Sequence, residues 1–260
     1  MRKNFFALLF LLFSVTAFSQ SKSKWSLGFS LSPTFCATVN TTSSSDKVNG
    51  TNQAYTAYND SINGKETYRF NLLCPTFWFN YSLDQKWSLQ TGLGYMDVGF
   101  QHLQNDIKLN DALYPGIGSG KLLELTNTSR NIKYDYRYQY LHVPVLFNYH
   151  VGKSGDYKFN YTLTGGIALD ILLKHQMSAN LDFDLDGKNQ YNFDSTGYGS
   201  RVVALNIILG GRVDYKIDKT LTLMVQPVIG FYPFSVSSGP ISVYPYYFSL
   251  NTGLVYEFAH

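Results

Sequence analysis

The sequence predicts an all-β protein, an eight-stranded antiparallel up-and-down transmembrane β-barrel with short periplasmic turns and long extracellular loops. Three observations predict this class. The 260 residues are 17% aromatic and only 15% charged, whereas soluble domains carry about 25% charged residues. Apolar and polar residues alternate with a period of two over eight segments, which is the period of a half-exposed strand. The connections between these segments are alternately short and long, as in outer-membrane barrels.

A leader precedes the first strand. Arg2 and Lys3 stand before an unbroken apolar run that ends in small residues, which is the pattern of a cleaved secretory signal. We therefore expect a signal peptide over residues 1–19 and an outer-membrane β-barrel over residues 20–260, with a retained N-terminal anchor as the alternative. Loss of Arg2 and Lys3 lowers the formal net charge from +3 to +1, so the charge does not indicate a nucleic-acid partner.

The first four predicted strands each show the two-residue period. In the first strand, Trp25, Leu27 and Phe29 alternate with serine and glycine. The second strand changes phase near Cys74 and Pro75, where we expect a bulge. The third strand alternates leucine and aromatic residues with serine, glutamine and glycine, and the fourth carries aliphatic and aromatic residues at every second position. Their predicted ranges are Trp25–Val39, Thr67–Leu83, Lys86–Phe100 and Ile132–Tyr149.

The last four predicted strands repeat the pattern with longer aliphatic rows. Leucine, isoleucine and valine occupy alternate positions, and threonine, glycine, serine or asparagine fill the positions between them. Each segment is long enough for a tilted strand across a bilayer, which needs about 9–11 residues. Their predicted ranges are Tyr157–Leu173, Arg201–Ile217, Thr220–Phe231 and Tyr244–Phe258.

The connections place the chain termini. Short turns are predicted at 83–86, 150–156 and 217–219; long polar loops at 40–66, 101–130 and 174–200; and an intermediate loop at 232–243. Because the strand count is even, both termini fall on the short-turn rim, which is periplasmic in barrels of this kind. The long loops are then extracellular.

The polar face decides which side of the wall meets lipid. It consists mostly of small neutral residues such as Ser26, Gly28 and Thr164. A water-facing exterior would be rich in lysine and glutamate, whereas small neutral residues suit the narrow lumen of an eight-stranded barrel. We therefore predict that the apolar face points outwards into hydrocarbon. A soluble ligand-binding barrel, the alternative, would place the large apolar residues inside.

Aromatic residues near the strand ends indicate two belts at the membrane interfaces, where amphipathic rings are favoured. Tyr134 and Tyr136 are assigned to the belt at the long-loop end. The alternative is aromatic residues scattered through a core. The belt at the short-turn end consists of Trp25, Tyr81, Trp87, Tyr149, Tyr157, Tyr215 and Tyr256.

Charged residues on the predicted inward face must pair or contact water. Four of them map to the periplasmic end and define a predicted interior polar cluster: Arg212, Asp214, Lys216 and Glu257. Asp170 and Lys174 are also predicted to face the lumen. We interpret the cluster as a plug that holds the barrel closed to metabolites, with a proton or ion path as the alternative.

The segment 140–147 resembles the strand motif of the PorT-like outer-membrane β-barrel family of Bacteroidetes. The matching residues are Tyr140, Leu141, Val143, Pro144 and Leu146. Segments 89–95 and 210–223 are similar to other strands of that family, so the resemblance extends over nearly the whole mature chain. It implies a barrel, and it implies a subunit of the type IX protein secretion machinery as one function. The family often has glutamate where this chain has His142.

Other residue patterns are weaker. The run Asp182 to Asp186 resembles half of a calcium loop, but its alternation favours a hairpin that turns at 186–187. Cys36 and Cys74 lie on neighbouring predicted strands, and free thiols are favoured over a disulfide. The scattered histidines and the absence of known catalytic motifs predict no enzyme and no cofactor. A lipid-modifying enzyme would require a Ser-His-acid arrangement on one rim.

The predicted function is that of an outer-membrane barrel with a closed lumen. It is expected to act through its extracellular loops or by association with other envelope or secretion components. The predicted partners are outer-membrane lipid and lipopolysaccharide.

Overall fold

The structure is a computed structural model of the chain. It describes residues 25–42, 66–104, 131–151, 158–185, 188–194, 199–238 and 241–258. The predicted signal peptide lies outside the described residues and stays a prediction. Within the described ranges there is no helix long and apolar enough to cross a membrane.

The described residues form twelve β-strands. Their bounds are β1 Trp25–Leu31, β2 Thr34–Thr42, β3 Glu66–Thr67, β4 Arg69–Asn71, β5 Pro75–Ser82, β6 Trp87–Gln104, β7 Ile132–Val151, β8 Phe159–Leu185, β9 Lys188–Phe193, β10 Val203–Lys216, β11 Leu221–Phe231 and β12 Ile241–Glu257.

These strands close into a ring. The order around the wall is β1-β5-β6-β7-β8-β10-β11-β12, and β12 pairs with β1, so the sheet has no free edge along this circuit. Every neighbouring pair is antiparallel. A wall that faces lipid requires this closure, because an open edge would leave backbone groups without hydrogen bonds. The ring confirms the predicted eight-stranded antiparallel barrel.

Two of the eight wall strands are interrupted. β1 and β2 together form the first wall strand, and β12 pairs with both. β4 and β5, with the short β3 before them, form the second wall strand, which has a break over residues 72–74 where the sequence pattern predicts a bulge. Each break adjoins a proline, Pro33 or Pro75, which has no N–H group to donate to the ladder.

The distribution of exposure confirms which face is outside. Phe77 is 60% exposed and Leu163 is 59% exposed, whereas Gln90 and Asn206 are fully buried. The prediction that small residues fill the lumen is right only in part. Large side chains also fill it: Trp78, Leu146, Ile208, Met224 and Tyr247 are buried on the inward rows. They fill volume that serine and glycine alone would leave empty.

Two strands, β6 and β8, extend past their predicted ends at the long-loop side, whereas β7 begins at its predicted residue Ile132. β6, β7 and β8 continue as a wall, and β9 folds back on β8 with Leu185 opposite Lys188, which confirms the predicted hairpin. A register shift opposite Gln139 leaves Leu173 as an extra residue in β8. This bulge reverses the phase of the strand. Lys174 is therefore exposed, and the prediction that it faces the lumen is wrong.

Candidate functional site

A hydrogen-bonded belt crosses the lumen nearer the short-turn end. Asn148 Nδ2 donates to Gln90 Oε1 over 3.2 Å, and Thr164 Oγ1 donates to Asn148 Oδ1 over 2.7 Å. Gln226 Nε2 lies 3.4 Å from Gln90 Oε1 and 3.3 Å from Thr164 Oγ1. All four side chains are buried and come from four strands, β6, β7, β8 and β11. The belt therefore joins opposite sides of the wall.

The structure brings together only part of the predicted interior polar cluster. Arg212 Nε lies 2.8 Å from Asp214 Oδ1, and an Arg212 nitrogen donates to Asn80 Oδ1 over 3.4 Å. Lys216 is half-buried and Glu257 is exposed, and neither forms an ion pair with a described residue. Both sit at the ends of their strands, where a long side chain reaches water. The placement of Glu257 in the interior is therefore corrected to the rim.

A second buried network lies farther towards the long-loop end, around the fully buried Asp170. His142 Nδ1 lies 2.5 Å from one oxygen of Asp170, and the Tyr232 hydroxyl donates to the other over 2.7 Å. Asn206 Nδ2 lies 3.4 Å from Asp170 Oδ2 and donates to the Tyr247 hydroxyl over 2.8 Å. The sequence predicts that Asp170 faces inwards, but its partners come from three other strands or loops.

A small cavity of about 20 Å³ lies beside the second network. His142, Tyr247 and Ser32 lie among its polar lining residues, and Trp78 and Cys74 are on its less polar side. The buried hydroxyl of Ser32 has no hydrogen-bond partner among the described residues. A cavity of this size suits one water molecule. Such a water would satisfy the Ser32 hydroxyl.

The residues of the sequence motif divide between the two faces of β7. Tyr140 and Leu146 are buried in the lumen, and Pro144 shares their row, whereas Leu141 and Val143 occupy the alternate outward row. The Tyr140 ring lies 6.2 Å from the ring of Tyr232. The motif therefore supplies both a lumen-filling row and a lipid-facing row of the same strand.

The aromatic residues predicted at the short-turn end lie there in pairs. Ring centroids are 4.6 Å apart for Trp25 and Tyr81 and 5.0 Å apart for Trp87 and Tyr149. Tyr215 and Tyr256 pair with phenylalanine rings at 5.0 Å and 5.6 Å, within the range of favourable aromatic contacts. Tyr157 lies outside the described residues.

Tyr134 and Tyr136 are not part of an outer belt, which corrects their assignment to the long-loop interface. Both are completely buried, on the same row of β7 as Tyr138 and Tyr140. Tyr136 stacks on Phe100 at 4.5 Å. Proximity to a predicted loop was misleading, because β7 alternates without a break from Ile132 to Asn148 and so keeps both tyrosines on its inward row.

A family model described as an outer membrane protein beta-barrel domain matches residues 18–235. The chain belongs to this family. It is therefore an outer-membrane β-barrel protein, in agreement with the closed ring and the exposed apolar face.

Several solved structures resemble this outer-membrane barrel. Neisserial surface protein A is 10% identical, with 92% of this chain and 100% of that chain covered and a TM-score of 0.43. OprG from Pseudomonas aeruginosa is 11% identical, with 92% and 98% covered and a TM-score of 0.40. Ail of Yersinia pestis is 7% identical, with 92% and 100% covered and a TM-score of 0.39. None of the curated proteins compared with the chain matches it.

The two described short turns of the barrel share one geometry. Asp84 Oδ1 accepts hydrogen bonds from the backbone of Lys86 and Trp87, at 2.6 and 2.8 Å. Asp218 Oδ1 accepts from the backbone of Thr220 and Leu221, both at 2.7 Å. These donors stabilise the carboxylate and lower the pKa of both aspartates below its usual range. The aspartates close tight turns between wall strands.

The remaining predicted sites are only partly described. Cys36 and Cys74 are free and buried. Asp182 accepts two hydrogen bonds from Asn131, at 3.0 and 2.8 Å, but the side chains of 183–188 lie outside the described residues. Within the described ranges no group of three or more histidine, cysteine or acidic side chains could hold a metal ion.

One serine and one histidine meet at the long-loop end. The His175 Nδ1 atom contacts the Ser200 hydroxyl, and both residues are half-buried. No carboxylate contacts His175 among the described residues. Two parts of a Ser-His-acid arrangement are therefore present in this part of the structure.

Proposed function

We propose that this outer-membrane barrel is a closed, non-conducting and non-catalytic protein that acts through its extracellular end or by association with other envelope components. The observation that carries the proposal is the belt of Gln90, Asn148, Thr164 and Gln226 across the lumen. The lumen cavity lined by His142 and Tyr247 has a volume of about 20 Å³. A pore for metabolites needs a continuous aqueous channel, which larger barrels provide.

Planar-bilayer recording of the purified barrel tests the closed lumen. We expect no stable conductance steps, and we expect vesicles that contain the protein not to swell in small sugars. Gln90→Gly combined with Gln226→Gly removes two side chains of the belt and is expected to allow brief conductance. The matched control, Leu89→Gly with Val225→Gly, alters the outward neighbours instead. Stable conductance of the wild-type protein contradicts the proposal.

Outer-membrane lipid and lipopolysaccharide are the proposed partners of the outward face. From Tyr246 to Tyr256 the outward row of β12 carries mainly apolar residues over ten positions. At about 3.3 Å per residue and a tilt of about 40°, this row spans about 25 Å along the membrane normal, the height of the apolar band of outer-membrane barrels. The paired rings near the short turns support an interfacial position for that rim.

Heat-modifiable gel mobility in isolated outer membranes tests insertion and closure together. A folded barrel keeps its compact mobility in detergent until it is boiled. Recovery of the processed protein from the soluble periplasmic fraction contradicts this part of the proposal.

The extracellular end supplies a rigid surface for association. From Ile132 to Gln139 the β7 strand continues for eight residues beyond its outward apolar row, and the seven steps between them span about 23 Å at about 3.3 Å per residue. Its inward row is buried, and its outward row carries polar residues such as Lys133 and Arg137. A surface built on paired strands holds its side chains more firmly than a loop does.

A PorT-like subunit of the type IX protein secretion machinery is the more specific candidate. The motif of Tyr140, Pro144 and Leu146 favours it, since these residues form part of the lumen. His142, which stands where that family often has glutamate, retains a contact with a buried partner through Asp170. The test is co-purification of a tagged chain with other secretion components, combined with the secretion phenotype of a deletion strain. Normal secretion without the protein contradicts this candidate.

A further inference from the structure

The second and third wall strands have a stretch without a backbone ladder between them. β5 pairs with β6 from Ser82 opposite Ser88 up to Thr76 opposite Gly94. The next pairs between the second and third wall strands are Thr67 with Gln101 and Glu66 with His102, made by β3. Between them, residues 68–75 make no ladder pair with residues 95–100, and β4 pairs with β2 instead.

The spacing explains the gap. From Thr67 to Thr76 the chain advances nine residues, whereas β6 advances only seven from Gly94 to Gln101. Two extra residues in one strand cannot keep the ladder in register, so the backbone groups separate. The break at 72–74, next to Pro75, lies in this stretch.

Arg69 fills the gap with ion pairs. Its two terminal nitrogens lie 2.9 and 3.3 Å from the two oxygens of Asp97, and Nε lies 3.0 Å from an oxygen of Asp135. Arg137 adds a second cation, at 2.5 Å from Asp97 Oδ2. The Arg69 and Asp97 side chains are only 6% and 3% exposed. A bidentate arginine–carboxylate pair at this burial fixes the separation of the two strands.

A polar side chain of the second wall strand also forms a hydrogen bond to the β6 backbone where β6 has no ladder pair with that strand. The Asn71 amide donates to the carbonyl oxygen of Asp97. Cys74 lies within this stretch and Cys36 pairs with Arg69 on β4, and both thiols are buried. Cys36 also donates to the Arg69 carbonyl over 3.4 Å. Side chains here take the place of the neighbouring strand.

We propose that this seam, formed by Arg69, Asn71, Cys74 and Cys36 against Asp97 and Gly99, is where the barrel wall opens laterally near its extracellular end. The β8–β10 and β11–β12 ladders, by contrast, are continuous over thirteen and eleven residue pairs, and they open only when many hydrogen bonds break together. At the seam, breaking the ion pairs of Arg69 and Arg137 with Asp97 and Asp135 is enough to let the two strands separate. Because Cys74 also lines the 20 Å³ cavity, opening would connect that part of the lumen to the outside.

The two cysteines report on opening without any added label site. Cys36 is fully buried and Cys74 is 1% exposed, so a hydrophilic maleimide reaches either thiol only when the seam opens. In intact wild-type barrels, identified by heat-modifiable mobility, we expect slow labelling. Arg69→Gln removes the cation that pairs with both Asp97 and Asp135 and is expected to raise the labelling rate at least about tenfold. Arg69→Lys keeps the positive charge but loses the bidentate geometry of the guanidinium group, and it is expected to give an intermediate labelling rate.

Arg212→Gln is the matched control, because it removes a buried ion pair with Asp214 from β10, whose ladder to β8 is continuous through this position. Its labelling rate is expected to stay at the wild-type level, and mass spectrometry identifies the labelled peptide in each variant. An unchanged rate in folded Arg69→Gln overturns the proposal. An equal increase in both variants also overturns it, since that result reports a general loosening of the barrel.

If Arg69→Gln does not fold, amide hydrogen exchange of the wild-type protein tests whether the seam opens. The amides of Asp97 and Gly99 lie on the same strand and the same alternate row as those of Thr91 and Leu93, which face a complete ladder. We expect Asp97 and Gly99 to exchange at least about tenfold faster. Equal protection of the four amides overturns the proposal.

Discussion

Replacing Asp170 by alanine should destabilise the barrel strongly. The fully buried carboxylate accepts from Tyr232 at 2.7 Å and contacts His142 at 2.5 Å and Asn206 at 3.4 Å. Alanine leaves the first two donors buried without an acceptor, at about 1–3 kcal/mol each. Asn206 keeps its hydrogen bond to the Tyr247 hydroxyl and loses little. We therefore expect the free energy of unfolding to fall by about 4 kcal/mol, within the range of about 3–5 kcal/mol for breaking a buried pair.

The assay is reversible urea unfolding of the barrel in lipid vesicles, followed by tryptophan fluorescence and by gel mobility. With a urea dependence of about 2 kcal/mol per molar, the midpoint is expected to fall by about 2 M. Asp170→Asn is the matched control. It keeps one oxygen to accept from Tyr232, and its amide can donate to the other tautomer of His142, so we expect a loss of only about 1–2 kcal/mol.

The two variants separate the hydrogen-bond network from the volume of the side chain. If Asp170→Ala unfolds within about 1 kcal/mol of the wild type, the network does not hold the lumen closed and the reasoning is refuted. Equal losses in the alanine and asparagine variants would show that the negative charge, and not the acceptor atoms, is what matters.

Three further predictions concern the wall and its rims. Gly253→Ala should prevent folding or lower stability by several kcal/mol, because the Cβ of the new alanine would lie 2.0 Å from the backbone oxygen of Phe29. In the control Gly211→Ala, the nearest atom to the new Cβ is the Thr162 oxygen at 3.7 Å, so this variant should refold like the wild type. Because the pKa of Asp218 is lower in the folded state than in the unfolded chain, its carboxylate contributes stability above the usual pKa of aspartate. The difference in urea midpoint between wild type and Asp218→Ala should therefore reach its largest value at neutral pH and disappear as the pH falls through the lowered pKa. A difference that persists in acid contradicts this prediction. Trp87→Ala removes the ring that packs at 5.0 Å on Tyr149 and should lower stability in vesicles by about 1–2 kcal/mol, which the same urea assay measures.

Hydrophobic periodicity predicts the wall of this protein well, because alternation in a strand is a local property. Trp25, Leu27 and Phe29 face outwards as predicted, and the turns near Asp84 and Asp218 lie where the short connections place them. The prediction fails where a local irregularity changes the phase.

The single extra residue Leu173 is such an irregularity. It reverses the row of β8, so Lys174 points away from the lumen. Its position cannot be obtained by counting residues along β8, because it depends on the register with the neighbouring strand. Tyr134 and Tyr136 are a different case: the unbroken alternation of β7 places them on the buried row, and their nearness to a loop misled the assignment to the outer belt.

The sequence alone determined the strand count, the closure of the sheet into a barrel and the outward direction of most large apolar residues. It also contains the motif that resembles the PorT-like family. All of these follow from patterns within single strands and from the lengths of their connections. Only the tertiary structure decided which side chains meet across the lumen. His142 meets Asp170 on the next strand of the ring, Gln90 meets Gln226 across it, and Arg69 joins Asp97 where the ladder is missing. These contacts depend on the stagger of all eight strands around the ring, a property that no single segment of the chain encodes.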